Sequence, residues 1–139
     1  MKQIVSLAVS LVLVAFMSAC ANSPTTPAQQ PAFTKIDLTL GNGAVAQSGN
    51  TLTVTYTGWL YDPTKPDFKG LPFDSESGFS FALGTGQVIP GWDQGLVGMN
   101  VGGFRRLLIP ASLAYGADRN GMIPPNAALV FDIQLTNVQ

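Results

Sequence analysis

A tryptophan lies between two glycines in residues 88–96, at the point where a β-branched pair gives way to a more polar segment, VIPGWDQGL. The valine–isoleucine pair is typical of a strand end, and residues 92–99 are predicted to form one short helix. The flanking glycines let the backbone turn tightly and approach a neighbouring element closely. The indole of Trp92 is therefore predicted to lie between a strand and a helix, as a core plug or as the floor of a pocket.

Short strands are predicted for much of the chain after residue 33. The clearest is residues 51–60, where Leu52, Val54 and Tyr56 alternate with threonines and so share one face. Many short strands with a single helix predict an α+β fold, in which the helix covers one face of an antiparallel sheet. The other predicted strands are residues 36–40, 79–84, 104–109 and 129–136, with a polar loop at 61–72 and an irregular segment at 111–128.

The first 19 residues are predicted to be a lipoprotein signal peptide. Lys2 precedes an apolar run over residues 4–17, and the following MSAC resembles the lipobox of bacterial lipoproteins. The resemblance implies cleavage before Cys20 and acylation of its thiol, which would hold the protein on a membrane. The alternative is an incidental cysteine in a signal peptide that is cleaved elsewhere, for example after Ala21.

Residues 20–34 are predicted to form a lipidated, flexible tether, because three prolines break any helix and residues 21–32 carry no charge. The sequence from 35 to 139 has the size of one small domain. The expected location is the bacterial cell envelope. Because Ala21 rather than aspartate follows the cysteine, the outer membrane is favoured, with the domain facing the periplasm or the cell surface.

Composition excludes several kinds of chemistry. The chain has no histidine and one cysteine, so Ser-His-Asp and Cys-His devices and histidine- or cysteine-based metal sites are not expected. Seven Lys and Arg against eight Asp and Glu give no basic excess for nucleic acid. The sequence predicts a reaction that needs no nucleophile, metal or cofactor.

Five motifs occur in the order found in FKBP-type peptidyl-prolyl cis/trans isomerases, and the chain resembles that family over about residues 35–138. The resemblance implies a half-barrel, in which a five- or six-stranded antiparallel sheet wraps on one short helix, with an apolar cleft between them. The motifs are YTGWL at 56–60, FDS at 73–75, VIPGW at 88–92, AYG at 114–116 and IPPNAALVF at 123–131.

The resemblance also implies a set of site residues. Trp92 would be the floor under the substrate proline, and the Ile89 N–H and the Tyr115 hydroxyl would hold the substrate backbone. Asp74 would orient Tyr56 or polarise the substrate carbonyl. The catalytic residues implied are Tyr56, Asp74 and Tyr115, and the substrate-binding residues are Phe73, Phe79, Val88, Ile89, Trp92, Ile123 and Phe131.

Such a cleft can catalyse rotation without a general base. Rotation about a peptide bond faces a barrier of about 18–20 kcal/mol because amide resonance must be broken. The twisted amide has lost that resonance and has a less polar carbonyl, so a dry aromatic cleft favours it over the solvated planar form. The expected partners are proline-containing segments of exported proteins, and macrolide immunosuppressant-type inhibitors are possible ligands.

The residues also allow simpler interpretations. Trp92 and Phe131 could be ordinary core residues, as we expect of Phe81, and Asp74 could serve only to form a turn. Many family members carry an arginine that pairs with this aspartate, and none is available between 74 and 79. A non-catalytic module that binds proline peptides or unfolded chains is therefore the rival function, and a purely structural lipoprotein is a third.

Overall fold

The computed structural model describes residues 29–139. The predicted signal peptide, Cys20 and most of the predicted tether lie outside the described residues. Among the residues described, no helix is long and apolar enough to cross a membrane.

Five strands form one open antiparallel sheet in the order β1-β4-β5-β2-β3, which confirms the predicted α+β class with five strands. Within residues 29–139, one short α-helix, α1 (Pro90–Gly95), lies against this sheet, and a 3₁₀ turn (Ala111–Leu113) follows the fourth strand. The strands are β1 (Thr34–Thr39), β2 (Thr51–Tyr61), β3 (Lys69–Ala82), β4 (Phe104–Ile109) and β5 (Leu129–Val138).

The core lies between α1 and the face of the sheet that the alternation in β2 predicted. Leu52, Val54 and Tyr56 are buried, while the intervening threonines are more exposed. The helix lies close to β4 because its glycines carry no Cβ. A Cβ on Gly91 would come within 2.6 Å of the Ile109 side chain, and one on Gly95 within 2.8 Å of Leu107.

The predicted helix boundaries were wrong. Residues 92–99 were expected to be helical, but α1 begins at Pro90 and ends at Gly95. Proline suits the first helical turn because its missing N–H has no intrahelical partner there. Beyond the helix, Leu96 donates its N–H to the Trp92 carbonyl, and Gly98 has a φ of 82° that ends the helical path.

The predicted loop at 61–72 was also too long. Strand β2 runs to Tyr61, and β3 is a 14-residue strand that begins at Lys69 and ends at Ala82. The strand predicted at 79–84 therefore began ten residues late and extended into the turn that follows β3. The ring of Phe68 stacks on Tyr61 with 5.5 Å between centroids, and the Asp62 N–H donates to the Phe68 carbonyl. These contacts close a short hairpin where the polar composition suggested an open loop.

Residues 29–33, at the end of the predicted tether, contact the domain. Phe33 packs against the core, and the Gln30 side chain hydrogen-bonds to the backbone of Ala111 and Asn126. The tether therefore meets the domain at the segment that follows β4.

Candidate active site: an aromatic cleft between helix and sheet

Trp92 lies at the centre of a cluster of aromatic rings. It is 4% exposed and projects from α1 towards β2, β3 and β5. Its ring contacts Tyr56 edge-on at 4.9 Å between centroids and Phe131 edge-on at 5.2 Å. Phe73 in turn meets Phe131 edge-on at 5.5 Å. Edge-to-face contacts of this kind fix the ring orientations. Tyr56, Phe73 and Phe131, the walls of the cluster, are therefore held in place relative to Trp92, its floor.

A hydroxyl–carboxylate pair forms the polar side of this cluster. The Tyr56 hydroxyl donates to Asp74 Oδ2 at 2.6 Å, and the other oxygen of Asp74 accepts the Ser75 N–H at 2.8 Å. Burial, followed by the hydrogen bond to Asp74, raises the pKa of Tyr56 above its ordinary value. The hydroxyl therefore stays protonated at physiological pH and holds the carboxylate in one orientation.

The segment that leads into α1 supplies the opposite side of the cleft. Asp93 accepts the N–H groups of Gly84 at 2.8 Å and Gly86 at 3.1 Å, which ties the turn after β3 to the helix. Ile89 accepts hydrogen bonds from Trp92 and Asp93 through its carbonyl. Among the described residues nothing accepts the Ile89 N–H, so this donor remains available to a ligand.

Tyr115 follows the 3₁₀ turn and lines the same cleft as Ile89. Its ring is half-buried against the core, and within residues 29–139 its hydroxyl has no hydrogen-bond partner. The cleft thus presents one backbone N–H and one hydroxyl above an apolar floor, which is an arrangement that can hold the backbone of an extended peptide.

Nine of the ten residues predicted from the sequence line this single cleft. Its volume is about 160 Å³, whereas one water occupies roughly 10–15 Å³ by the same measure, so a ring-sized side chain can enter. The lining residues are Tyr56, Phe73, Asp74, Phe79, Val88, Ile89, Trp92, Tyr115 and Phe131, together with Gln87.

Ile123 is the exception, and Gln87 is the addition. Ile123 is buried and lines a neighbouring cavity that shares Phe73, Asp74 and Tyr115 with the cleft. Gln87 was missed because a lone glutamine in a turn carries no pattern of its own. Its Oε1 accepts the Ala82 N–H at 2.8 Å, and this hydrogen bond holds the Gln87 side chain at the end of β3.

Phe81 lies outside the cleft lining, as expected. It is 3% exposed and belongs to the core, where its ring supports Trp92 from the side at 5.5 Å. The predicted difference between core and cleft phenylalanines is therefore seen in the structure.

Residues 43–136 match the family described as FKBP-type peptidyl-prolyl cis-trans isomerase. An FK506-binding protein of Neisseria meningitidis serogroup B is 46% identical over 103 residues, which cover 73% of this chain and 92% of the relative. FK506-binding protein 4 of Gibberella zeae is 47% identical over 105 residues, which cover 74% of this chain but only 20% of that protein.

A solved structure of similar sequence has the same fold. The crystal structure of AtFKBP13 superposes with a TM-score of 0.66 at 33% identity, covering 77% of this chain and 93% of the other. The family match over residues 43–136 includes every residue that lines the cleft.

Proposed function

Because the chain belongs to the FKBP-type peptidyl-prolyl cis-trans isomerase family, we propose that it accelerates cis/trans rotation of Xaa-Pro bonds in its aromatic cleft. The observation that carries the proposal is the cleft itself, in which an indole forms the floor and three aromatic rings form the walls. It also holds two hydrogen-bond donors, the Ile89 N–H and the Tyr115 hydroxyl, that have no acceptor within residues 29–139. Such a site can bind a twisted proline amide and needs no nucleophile.

The cleft residues would have separate roles in this reaction. The proline ring would lie on Trp92, while the Ile89 N–H and the Tyr115 hydroxyl would bind the peptide backbone. The carbonyl before proline would enter the apolar space beside Tyr56 and Phe131. Rotation makes that carbonyl less polar, so a site with little water stabilises the transition state more than the ground state.

Asp74 would act through Tyr56 and not as a base. The 2.6 Å hydrogen bond fixes the tyrosine ring against Trp92 and Phe131. The pair would therefore preserve the shape of the wall while the amide rotates, which fits the hydroxyl remaining protonated.

The test is the relaxation of short Xaa-Pro peptides at catalytic concentrations of the protein. We expect Tyr115→Phe and Asp74→Asn to lower kcat/KM, each by about tenfold or less, since each removes one hydrogen bond. Tyr61→Phe is the matched control, because it removes a tyrosine hydroxyl outside the cleft. Binding of proline peptides without turnover would contradict catalysis and favour the rival binding module.

We further propose that Cys20 carries a lipid and that the domain acts on exported proteins at the bacterial envelope. The support is the lipobox-like MSAC and the charged and apolar segments before it. The test is fractionation of cells that express the chain, with mass analysis of the mature N-terminus. Cys20→Ser should release the protein from the membrane fraction, and a wild type that is soluble and unmodified would refute the anchor.

A further inference from the structure

Four hydrogen bonds form a closed ring where the tether meets the domain. The Ala111 N–H donates to Gln30 Oε1 at 2.8 Å, and Gln30 Nε2 donates to the Asn126 carbonyl at 2.9 Å. The Asn126 N–H donates to the Gly116 carbonyl at 2.7 Å, and the Gly116 N–H donates to the Ala111 carbonyl at 2.8 Å. The side chain of one tether residue thus completes a ring that is otherwise made of backbone groups.

The chemistry of the ring fixes the orientation of the Gln30 amide. A backbone N–H can be satisfied only by the oxygen of that amide, and a backbone carbonyl only by its nitrogen. Gln30 therefore links two segments that lie 15 positions apart, one before Tyr115 and one after Ile123. Neither link depends on a charge, so the ring is insensitive to salt.

The ring lies at the base of the loop that carries Tyr115. Gly116, the next residue, belongs to the ring through both its N–H and its carbonyl. Asn126 has a φ of 58°, a conformation that asparagine adopts more readily than most residues but which still needs support from its surroundings. Loss of the two Gln30 bonds would leave the backbone bonds of Gly116 as the remaining links of the ring, and so would loosen the segment that places the Tyr115 hydroxyl at the rim.

We propose that Gln30 is a positioning residue that holds Tyr115 in place at the edge of the cleft, so that the tether forms part of the active enzyme. The kinetic consequence rests on the proposed isomerase function. The positioning itself is a property of the loop and can be measured independently.

Two substitutions in the full chain test the two hydrogen bonds by which Gln30 closes the ring, a link that we call the Gln30 clamp. Gln30→Ala removes both hydrogen bonds, while Gln30→Glu keeps the acceptor for Ala111 but sets a carboxylate oxygen against the Asn126 carbonyl. We expect kcat/KM for Xaa-Pro peptides to fall about threefold to tenfold in both variants. Gln29→Ala is the control, because it truncates the neighbouring glutamine, which makes no hydrogen bond within the described residues.

A double-mutant cycle separates positioning from general loosening. If Gln30 acts through the Tyr115 hydroxyl, Gln30→Ala should have little further effect in a Tyr115→Phe background. A full and independent loss in that background would overturn the inference, as would wild-type activity in both Gln30 variants.

Amide hydrogen exchange decides the inference even if the protein has no isomerase activity. Gln30→Ala should speed exchange at Ala111 and Gly116, whereas Gln29→Ala should not. An inactive wild type with this exchange pattern would refute the proposed function and still support the clamp. Unchanged exchange at both amides would overturn the clamp whatever the activity.

Discussion

Gly58 shows how closely the aromatic walls approach the backbone of β2. A Cβ at this position would lie 2.6 Å from Cζ of Phe73 and 2.8 Å from Cε1 of Phe131. Both atoms are at the ends of rings whose edge-to-face contact closes one side of the cleft. The glycine thus leaves the space that these two rings occupy.

We expect Gly58→Ala to lower both stability and activity. Overpacking of this size costs about 1–3 kcal/mol of the free energy of unfolding, and here the rings must move to relieve it. Denaturant unfolding and kcat/KM per folded molecule are the measurements.

Gly43→Ala is the matched control for this substitution. Its Cβ would lie 2.7 Å from Cβ of Val101, so it causes a similar clash outside the cleft. We expect it to reduce stability but to spare kcat/KM. Equal activity in the two variants would show that the position of the rings does not govern turnover.

Single residues also show the limit of prediction from sequence. The aromatic members of the cleft could be predicted because their types and order match a known pattern. Gln87 and Gln30 could not, since both act through hydrogen bonds to backbone groups. Ile123 was assigned to the cleft, yet the turn at 120–123 places it in the adjoining cavity.

At the level of elements, a charged cluster joins four neighbouring strands on the face opposite the helix. Asp132 of β5 accepts two hydrogen bonds from Arg106 of β4, at 2.7 and 2.9 Å. Lys69 of β3 reaches the same carboxylate at 2.7 Å and lies 4.2 Å over the ring of Trp59 in β2. The cluster therefore spans the sheet from β4 to β3.

The cluster makes stability depend on pH through Asp132. Burial acts to raise the pKa of Asp132, but the hydrogen bonds from Arg106 and Lys69 outweigh it and lower that pKa below its ordinary value. The stabilisation is therefore complete above the pKa of the unfolded chain, about 3.9, and is lost as the pH falls through the lower pKa of the folded protein. Acid should weaken the sheet below about pH 4.

We expect Asp132→Asn to reduce the free energy of unfolding by about 1–3 kcal/mol at pH 7, because Arg106 and Lys69 lose the carboxylate that both contact at 2.7 Å. The difference from wild type should shrink as the pH falls below about 4. Urea unfolding over a pH series measures it, and Asp118→Asn, which removes an exposed carboxylate, should have little effect. A difference that stays constant down to pH 3 would refute the assignment to Asp132.

The elements were predicted best where one face is buried. The alternation in β2 identified its core face, because a shift of one residue would expose every apolar side chain. The pattern gave no such guide for Arg105 and Arg106, because their positive charge does not show what either side chain contacts in the folded sheet. Both are ion-paired, and Arg105 is buried, with its guanidinium bonded to Asp37 at 2.6 Å and to the Gly95 carbonyl at 2.8 Å.

On the scale of the whole molecule, the cleft belongs to no single element. Its lining comes from β2, β3, β5, the segment that leads into α1, α1 itself and the segment after the 3₁₀ turn. A ligand that binds there holds together the parts that separate on unfolding, so binding and global stability are linked.

We therefore expect an FK506-type macrolide to stabilise the whole domain. At a free concentration 100 times its Kd, it should add about 2.7 kcal/mol to the free energy of unfolding. Thermal unfolding with and without the macrolide measures the effect, and Trp92→Leu, which removes the floor, should lose the increment. No rise in Tm at saturating macrolide would show that the cleft does not bind this class of ligand.

The position of β5 has a consequence for how the protein is made. It comes last in chain order among the five described strands of the sheet, yet it lies inside the sheet, paired with β4 on one side and β2 on the other. While a nascent chain still lacks it, the β1–β4 pair and the β2–β3 hairpin share no edge, and the cleft lacks Phe131. During synthesis the β1–β4 pair and the β2–β3 hairpin therefore emerge from the ribosome before they can pair with one another. The cleft can form only when β5 is inserted between them.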